Sequence, residues 1–317
     1  VRALITGITG QAGSYLAEQL AAEGHQVFGL LHGQRNPKRA WIESLVSEIT
    51  LLEGDLLDQS SLQRALVTAE PDVVFNLGAL TFVGMSWQQP TLMTEVTGLG
   101  CLRMLEAIRA VDPDTRFVQA STSEMFGSSP APQSESTPFH PRSPYGVAKL
   151  FAHHTTVNYR DSYGMHASTA VMFNAESPRR GEEFVTRKVT AAVARIARGE
   201  QADLRLGNLA ARRDWGWIPD FMRAWALIAE QEQPDDYVLA TGESHSVAEL
   251  CEVAFAEAGL DWRDHVQVDP GLFRPADVEH LCGDPAKAGR ILGWEPSVFF
   301  TEIVKRMVVA ETLEVAA

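Results

Sequence analysis

A glycine-rich turn constrains this chain more than any other stretch. The apolar run Val1–Ile5 leads into T-G-I-T-G-Q-A-G (Thr6–Gly13), and the helical run Ser14–Ala22 follows at once. Gly7, Gly10 and Gly13 at this spacing permit a tight turn, a close backbone approach to a pyrophosphate, and close packing of helix on strand. Such turns also occur without ligands. Standing at the very first strand–helix junction, this one points to a dinucleotide.

The alternation it begins continues. Strands are expected at Gln26–Leu31, Ile49–Leu52, Val73–Leu77, Arg116–Ala120 and Ala167–Phe173, with helices at Trp41–Val46, Ser60–Thr68, Met93–Ala110 and Tyr145–Tyr163. Strands separated by helices imply parallel pairing with right-handed crossovers, hence an α/β fold with a doubly wound, Rossmann-type parallel sheet covered on both faces. Past Phe173 the rhythm changes. Val185–Arg198, Ile218–Glu230, Val247–Gly259, Pro285–Leu292 and Thr301–Glu311 read as helices, with short strands at Leu204–Leu206 and Tyr237–Ala240. These pieces imply a smaller C-terminal α/β substrate lobe. The expected division is 1–174 for the dinucleotide-binding domain and 175–317 for the lobe, with segments near 207–240 returning to the first domain.

Ligands on such sheets bind at the carboxyl ends of strands, where Thr6, Asp55, Leu77–Leu80 and Ser121–Glu124 all fall. Ser121–Glu124 opens a stretch that closes P-Y-G-V-A-K (Pro144–Lys149). Ser143 can cap that helix and Pro144 suits its first position. Tyr145 and Lys149 are four apart and so project from one face. A cation beside a phenol favours phenolate, which would make Tyr145 a base near neutral pH. The same spacing also describes an ordinary amphipathic pair.

Composition narrows the partners. The 27 basic against 41 acidic residues give a net charge of −14, which argues against nucleic acid or an anionic membrane surface as partner. A negatively charged ligand then needs a local cluster of Arg and Lys. Three widely spaced cysteines, Cys101, Cys251 and Cys282, suit reduced thiols in the cytoplasm better than a disulfide frame or a zinc site. No apolar run approaches membrane length and no leader pattern opens the chain.

Cofactor choice is read at the end of the second strand. A carboxylate there would bond a ribose 2′-hydroxyl and select NAD. The segment His32-Gly33-Gln34-Arg35, followed by Lys38 and Arg39, carries none, and its basic residues favour NADP over NAD. Gly54-Asp55-Leu56 after the third strand could line the adenine, though Asp55 could equally cap a turn.

With these features together the chain resembles the extended short-chain dehydrogenase/reductases, and within them the GDP-mannose 4,6-dehydratase family. The strings that carry the resemblance are Thr6–Glu18, Q-A-S-T-S-E-M-F-G (Gln119–Gly127), Pro138–Lys149, E-S-P-R-R-G (Glu176–Gly181), F-V-T-R-K (Phe184–Lys188), L-G-N-L (Leu206–Leu209), R-D-W-G (Arg213–Gly216) and F-R-P (Phe273–Pro275). The resemblance implies a GDP-linked sugar as substrate, a tightly held NADP, and a homodimer or homotetramer. It implies that Tyr145 takes the proton of the sugar 4-hydroxyl, that Glu124 removes the C5 proton and returns it to the departing C6 hydroxyl, that Thr122 bonds the 4-oxygen, and that Lys149 holds the nicotinamide ribose. Ser123 stands where related dehydratases carry an Asp, so one carboxylate would serve as both acid and base. Cofactor contacts would come from Gly7, Thr9, Gly10, Gln11, Gly13, Arg35, Asp55, Leu56, Leu77 and Ala79, besides Tyr145 and Lys149. Nucleotide and sugar contacts would come from Asn174, Glu176, Arg179, Val185, Lys188, Arg213 and Arg274, the last two on the pyrophosphate.

Three departures stand out. Leu80 replaces the family's Gln, Ala175 replaces its His, and His32-Gly33 replaces its paired Arg. The smaller Ala175 motivates a second reading, a GDP-sugar epimerase or a dehydratase of a GDP-heptose or GDP-octose. A third reading is a non-catalytic NADP-binding regulator.

Overall fold

The computed structural model describes residues 1–33, 37–45 and 47–313. Seven parallel strands form one sheet: β1 (Arg2–Thr6), β2 (Gln26–Leu31), β3 (Ile49–Glu53), β4 (Val73–Asn76), β5 (Arg116–Thr122), β6 (Ala167–Met172) and the strand Asp236–Leu239. They lie in the order Asp236–Leu239, β6, β5, β4, β1, β2, β3. The chain runs outward one way from β1 and the other way from β4, so the sheet reverses between those two strands. A crevice opens at their carboxyl ends for this topological reason.

Strand residues are apolar on both faces because helices cover both. Ile5, Phe75 and Val118 point into one core with α1 (Gln11–Ala22) and the helix Ile218–Glu230. Leu4, Val74 and Phe117 point into the other, with α2 (Gln59–Ala69) and the helices Gly100–Val111 and Pro144–Tyr163. A separate core of Val189, Val193, Trp215, Leu250, Phe255, Phe300 and Val304 joins the helices Val185–Ala197, Val247–Glu257 and Phe300–Leu313. The helix Ile218–Glu230 and the strand Asp236–Leu239 pack with the large sheet, although they follow lobe segments in sequence.

The helix Pro144–Tyr163 begins as its sequence dictates, with Ser143 Oγ accepting from the Gly146 amide at 3.0 Å and Pro144 in the first turn. Elsewhere local detail departs from expectation. The run read as one helix from Met93 is an α-turn at Pro90–Met93, a π-helical segment at Thr94–Leu99 and an α-helix at Gly100–Val111. A Cβ on Gly98 would sit 3.4 Å from the Ala148 carbonyl, so the segment lies close against the helix that carries Tyr145 and Lys149. The helix expected at Trp41–Val46 is a 3₁₀ segment, Pro37–Leu45, and Val46 lies outside the described residues. The helix Val83–Gln88 and the paired segments Asn174–Glu176 with Trp215–Trp217 were too short to show a period in the sequence.

Candidate active site

The glycine turn shapes the floor of the crevice. Gly7 has φ +67°, and a Cβ on Gly13 would come 2.3 Å from the Gly7 carbonyl, so side chains at either position would destroy the turn. Gly10 begins α1 with no side-chain cap, which leaves the first-turn amides of that helix facing the crevice. Helix amides and their dipole favour an anion there. These features fit a dinucleotide pyrophosphate.

One cavity of 620 Å³ runs from this turn into the lobe. It is lined by Gly7, Thr9, Gly10, Gln11, Gly13, Leu77 and Ala79, by Thr122, Ser123, Glu124, Tyr145 and Lys149, and by Asn174, Glu176, Arg179, Val185, Lys188, Arg213 and Arg274. Stretches as distant as residues 7 and 274 therefore meet around a single space. Leu56 is instead buried in the core beneath the sheet. Asp55 is off the wall too, its carboxylate 3.2 Å from His32 Nε2 and accepting from the Leu57 amide at 2.9 Å. Arg35 lies outside the described residues, as does the side chain of Lys38, while Arg39 is exposed.

At the centre, β5 ends and Thr122 caps a single 3₁₀ turn, its Oγ1 accepting from the Glu124 amide at 3.3 Å. Thr122 also acts on the Tyr145 phenol. Burial pushes the Tyr145 phenol up to about 12; Thr122 opposes this, Glu124 adds to it, and Arg180 opposes it. The expectation that Lys149 would govern the phenol is therefore corrected. Desolvation dominates, and the cation that acts on Tyr145 is Arg180. Lys149 is 3% exposed, and its Nζ donates to the Ala120 carbonyl at 2.7 Å. Burial brings its ammonium down to about 8.

The paired arginines of E-S-P-R-R-G part company. Arg179 donates to Ser14 Oγ at 3.0 Å, bonds Glu18, and lies over the Tyr15 ring at 4.2 Å, so it clasps α1. Arg180 stacks at 3.7 Å on Phe184, with Nε 3.4 Å from the buried Glu176 carboxylate. Thr186 donates to that same carboxylate. Burial raises the Glu176 carboxyl, and the Arg180 charge counteracts this. Arg180 lines the cavity too, although it had no role in the sequence reading, since nothing local tells two adjacent arginines apart.

Arg213 is set by its neighbour. Asp214 accepts from the amides of Thr241 (2.9 Å), Gly242 (3.0 Å) and Gly283 (3.2 Å), which fixes the backbone beside it. Burial lowers the Arg213 guanidinium, Glu124 opposes, Arg274 adds its like charge, and Asp277 opposes. Two guanidiniums close enough to repel make a site suited to a diphosphate. Lys188 donates to the Arg205 carbonyl at 2.8 Å.

The departures have plain locations. Leu80 packs with Val83, Met93, Tyr145 and Ala148, so it helps keep water from the phenol. Ala175 is 8% exposed and belongs to the core with Ile218 and Phe221, while its carbonyl accepts from Gln11 at 2.9 Å. Ala175 also lines the cavity, between Asn174 and Glu176.

The sheet, the glycine turn and the Thr–Tyr–Lys grouping define a nucleotide-sugar enzyme of the short-chain dehydrogenase/reductase class. The family model described as GDP-mannose 4,6 dehydratase matches residues 4–307, and the chain belongs to that family. It is 48% identical to GDP-mannose 4,6 dehydratase 1 of Arabidopsis thaliana, over 99% of this chain and 90% of that one. Against the GDP-mannose 4,6-dehydratase of Vibrio cholerae the identity is 43%, over 99% and 94%. Among solved structures, the UDP-glucose 4-epimerase of Thermus thermophilus in complex with NAD superposes with a TM-score of 0.84 at 29% identity, covering 98% of this chain and 99% of that one.

Proposed function

We propose that the protein is an NADP-dependent GDP-mannose 4,6-dehydratase that forms the 4-keto-6-deoxy sugar. The observation that carries this is the convergence of Thr122, Glu124, Tyr145 and Lys149 on one cavity that continues to Arg213 and Arg274. Bound nicotinamide supplies the acceptor for the C4 hydrogen and its donor to C6. The residues supply the rest. Tyr145 takes the 4-hydroxyl proton, with Thr122 acting on the same phenol and Arg180 stabilising the phenolate. The C4 ketone acidifies C5–H, and Glu124 removes that proton. The same carboxyl then gives a proton to the C6 hydroxyl, which leaves as water, and Tyr145 returns to C5 the proton it took as hydrogen comes back to C6. Lys149 would bond the nicotinamide ribose, and Arg213 with Arg274 would hold the diphosphate. NADP rather than NAD is supported by Arg35, Lys38 and Arg39 after β2.

The test is turnover of GDP-mannose by protein reconstituted with each cofactor. NADP should give the higher kcat/KM. Equal or better turnover with NAD would mean that the basic stretch after β2 does not reach the ribose.

A homodimer through the outer face of the helix Pro144–Tyr163 belongs to the same reading. Val147 and Phe151 lie four apart, away from Tyr145 and Lys149, and are 56% and 42% exposed. Phe151 reaches within 3.4 Å of the Cβ position at Gly98, and Leu92 nearby is 42% exposed. Phe151→Glu should yield a monomer by light scattering. An unchanged dimer would place the contact elsewhere.

A further inference from the structure

Three polar side chains cross the middle of the sheet where apolar ones would pack more cheaply. Thr6, Asn76 and Gln119 occupy one rung of the adjacent strands β1, β4 and β5. They share the face of Leu4, Val74 and Phe117, the face covered by the helix that carries Lys149. All three are buried, at 0%, 2% and 2% exposure.

Their hydrogen bonds run one way. The Gly78 amide donates to Thr6 Oγ1 at 2.8 Å, so the Thr6 hydroxyl proton goes to Asn76 Oδ1 at 2.7 Å. Asn76 Nδ2 then donates to Gln119 Oε1 at 2.7 Å, and Gln119 Nε2 donates to the Ala120 carbonyl at 2.9 Å. Lys149 Nζ donates to that same carbonyl at 2.7 Å. A backbone N–H at one end and a backbone C=O at the other fix the direction, so neither amide can flip without losing bonds. A chain satisfied at every member holds its ends in place, whereas a broken one leaves buried groups unpaired. Its two ends are the loop after β4, whose Leu77 and Ala79 line the cavity, and the carbonyl that holds Lys149.

We propose that Gln119 is the positioning residue for Lys149, sharing the Ala120 carbonyl with its ammonium and tying that carbonyl through Asn76 and Thr6 to the loop after β4. The role of Lys149 itself rests on the function proposed above. Gln119 touches no ligand; it acts by leaving Lys149 one acceptor direction and one place.

The test uses Gln119→Glu and Thr6→Val in full-length protein, read by turnover of GDP-mannose and by carbon NMR of the lysine ε-methylenes. The chain has five lysines, and Lys149→Met assigns the buried one. Glu at 119 still accepts from Asn76 but, ionised, has no proton for Ala120. Val at 6 is isosteric and removes the hydroxyl that orients Asn76. In both, kcat should fall by about tenfold or more while KM for GDP-mannose changes by less than about threefold. The Lys149 resonance should move from its buried position toward those of the other lysines. A folded variant with wild-type kcat and an unmoved Lys149 resonance overturns the proposal. Should Gln119→Glu fail to fold, Thr6→Val decides by the same two readouts. If the unsubstituted protein does not dehydrate GDP-mannose, the proposed function fails, and the resonance alone judges Gln119.

Discussion

Glu124→Gln should stop dehydration while sparing the first oxidation. Gln has no carboxylate to accept the C5 proton and no acid to give to the C6 oxygen, yet Thr122, Tyr145 and Lys149 keep their places. The turn that carries Glu124 is held by its backbone amide on Thr122, which the substitution leaves intact. Loss of a positioned acid–base group costs about two to four orders of magnitude in rate. GDP-mannose added to the variant should therefore raise the absorbance of reduced nicotinamide in a single turnover, with no water lost. Tyr145→Phe should show no such signal. Near-normal turnover by Glu124→Gln would make Glu124 structural, and turnover to a product that keeps its water would favour an epimerase, which needs no base at C5.

Lys149→Met should abolish turnover and make the protein more stable at neutral pH. Burial holds the Lys149 ammonium at about 8 against a usual 10.5, so the folded state disfavours the charge. Below pH 8 the charged form is present in both states and the full penalty applies. Between about 8 and 10.5 the unfolded chain binds more protons, so stability from this group rises with pH, and above 10.5 the penalty is gone. Each pKa unit corresponds to about 1.4 kcal/mol, and the lost bond to Ala120 offsets part of it, leaving a gain on the order of 1–3 kcal/mol at pH 7. Urea unfolding at pH 7 and pH 10 would measure it, with the gain shrinking at the higher pH. A variant less stable than the parent at pH 7 would mean that the Ala120 bond outweighs desolvation.

Much of the sheet was legible because parallel strands buried on both faces are short apolar runs, and because the glycine turn marks where the first one ends. The strand Asp236–Leu239 could be found, and its stretch was expected to return to the first domain, but its neighbour in the sheet could not be read. Its pairing to β6 depends on a chain that crosses the lobe and returns. The π-helical Thr94–Leu99 kept an apolar pattern close enough to a helix to read as one.

At the site, residues with chemistry of their own were legible, and residues that act through a neighbour were not. Thr122, Glu124, Tyr145 and Lys149 stand in recognisable strings and line one cavity. Arg180 was passed over for Arg179, because only the packed fold puts Tyr15 and Glu18 beneath one and Phe184 beneath the other. Gln119 had no role in the sequence, since Asn76, which bonds it, lies on another strand and the bond to Ala120 is made only by a buried side chain. The pull of Lys149 on Tyr145 was overestimated because four-residue spacing gives a shared face but says nothing of depth. Burial turned out to be the larger effect on both groups.

In a 4,6-dehydration by this route one hydrogen leaves C4 and returns at C6 as water is lost. GDP-mannose carrying deuterium at C4 tests it in a single mass-spectrometric assay. The product should be lighter by one water and keep the label, now at C6, and should gain one further deuteron at C5 when the reaction is run in heavy water. A product of unchanged mass, or one that has lost water but not kept the C4 label, would contradict it.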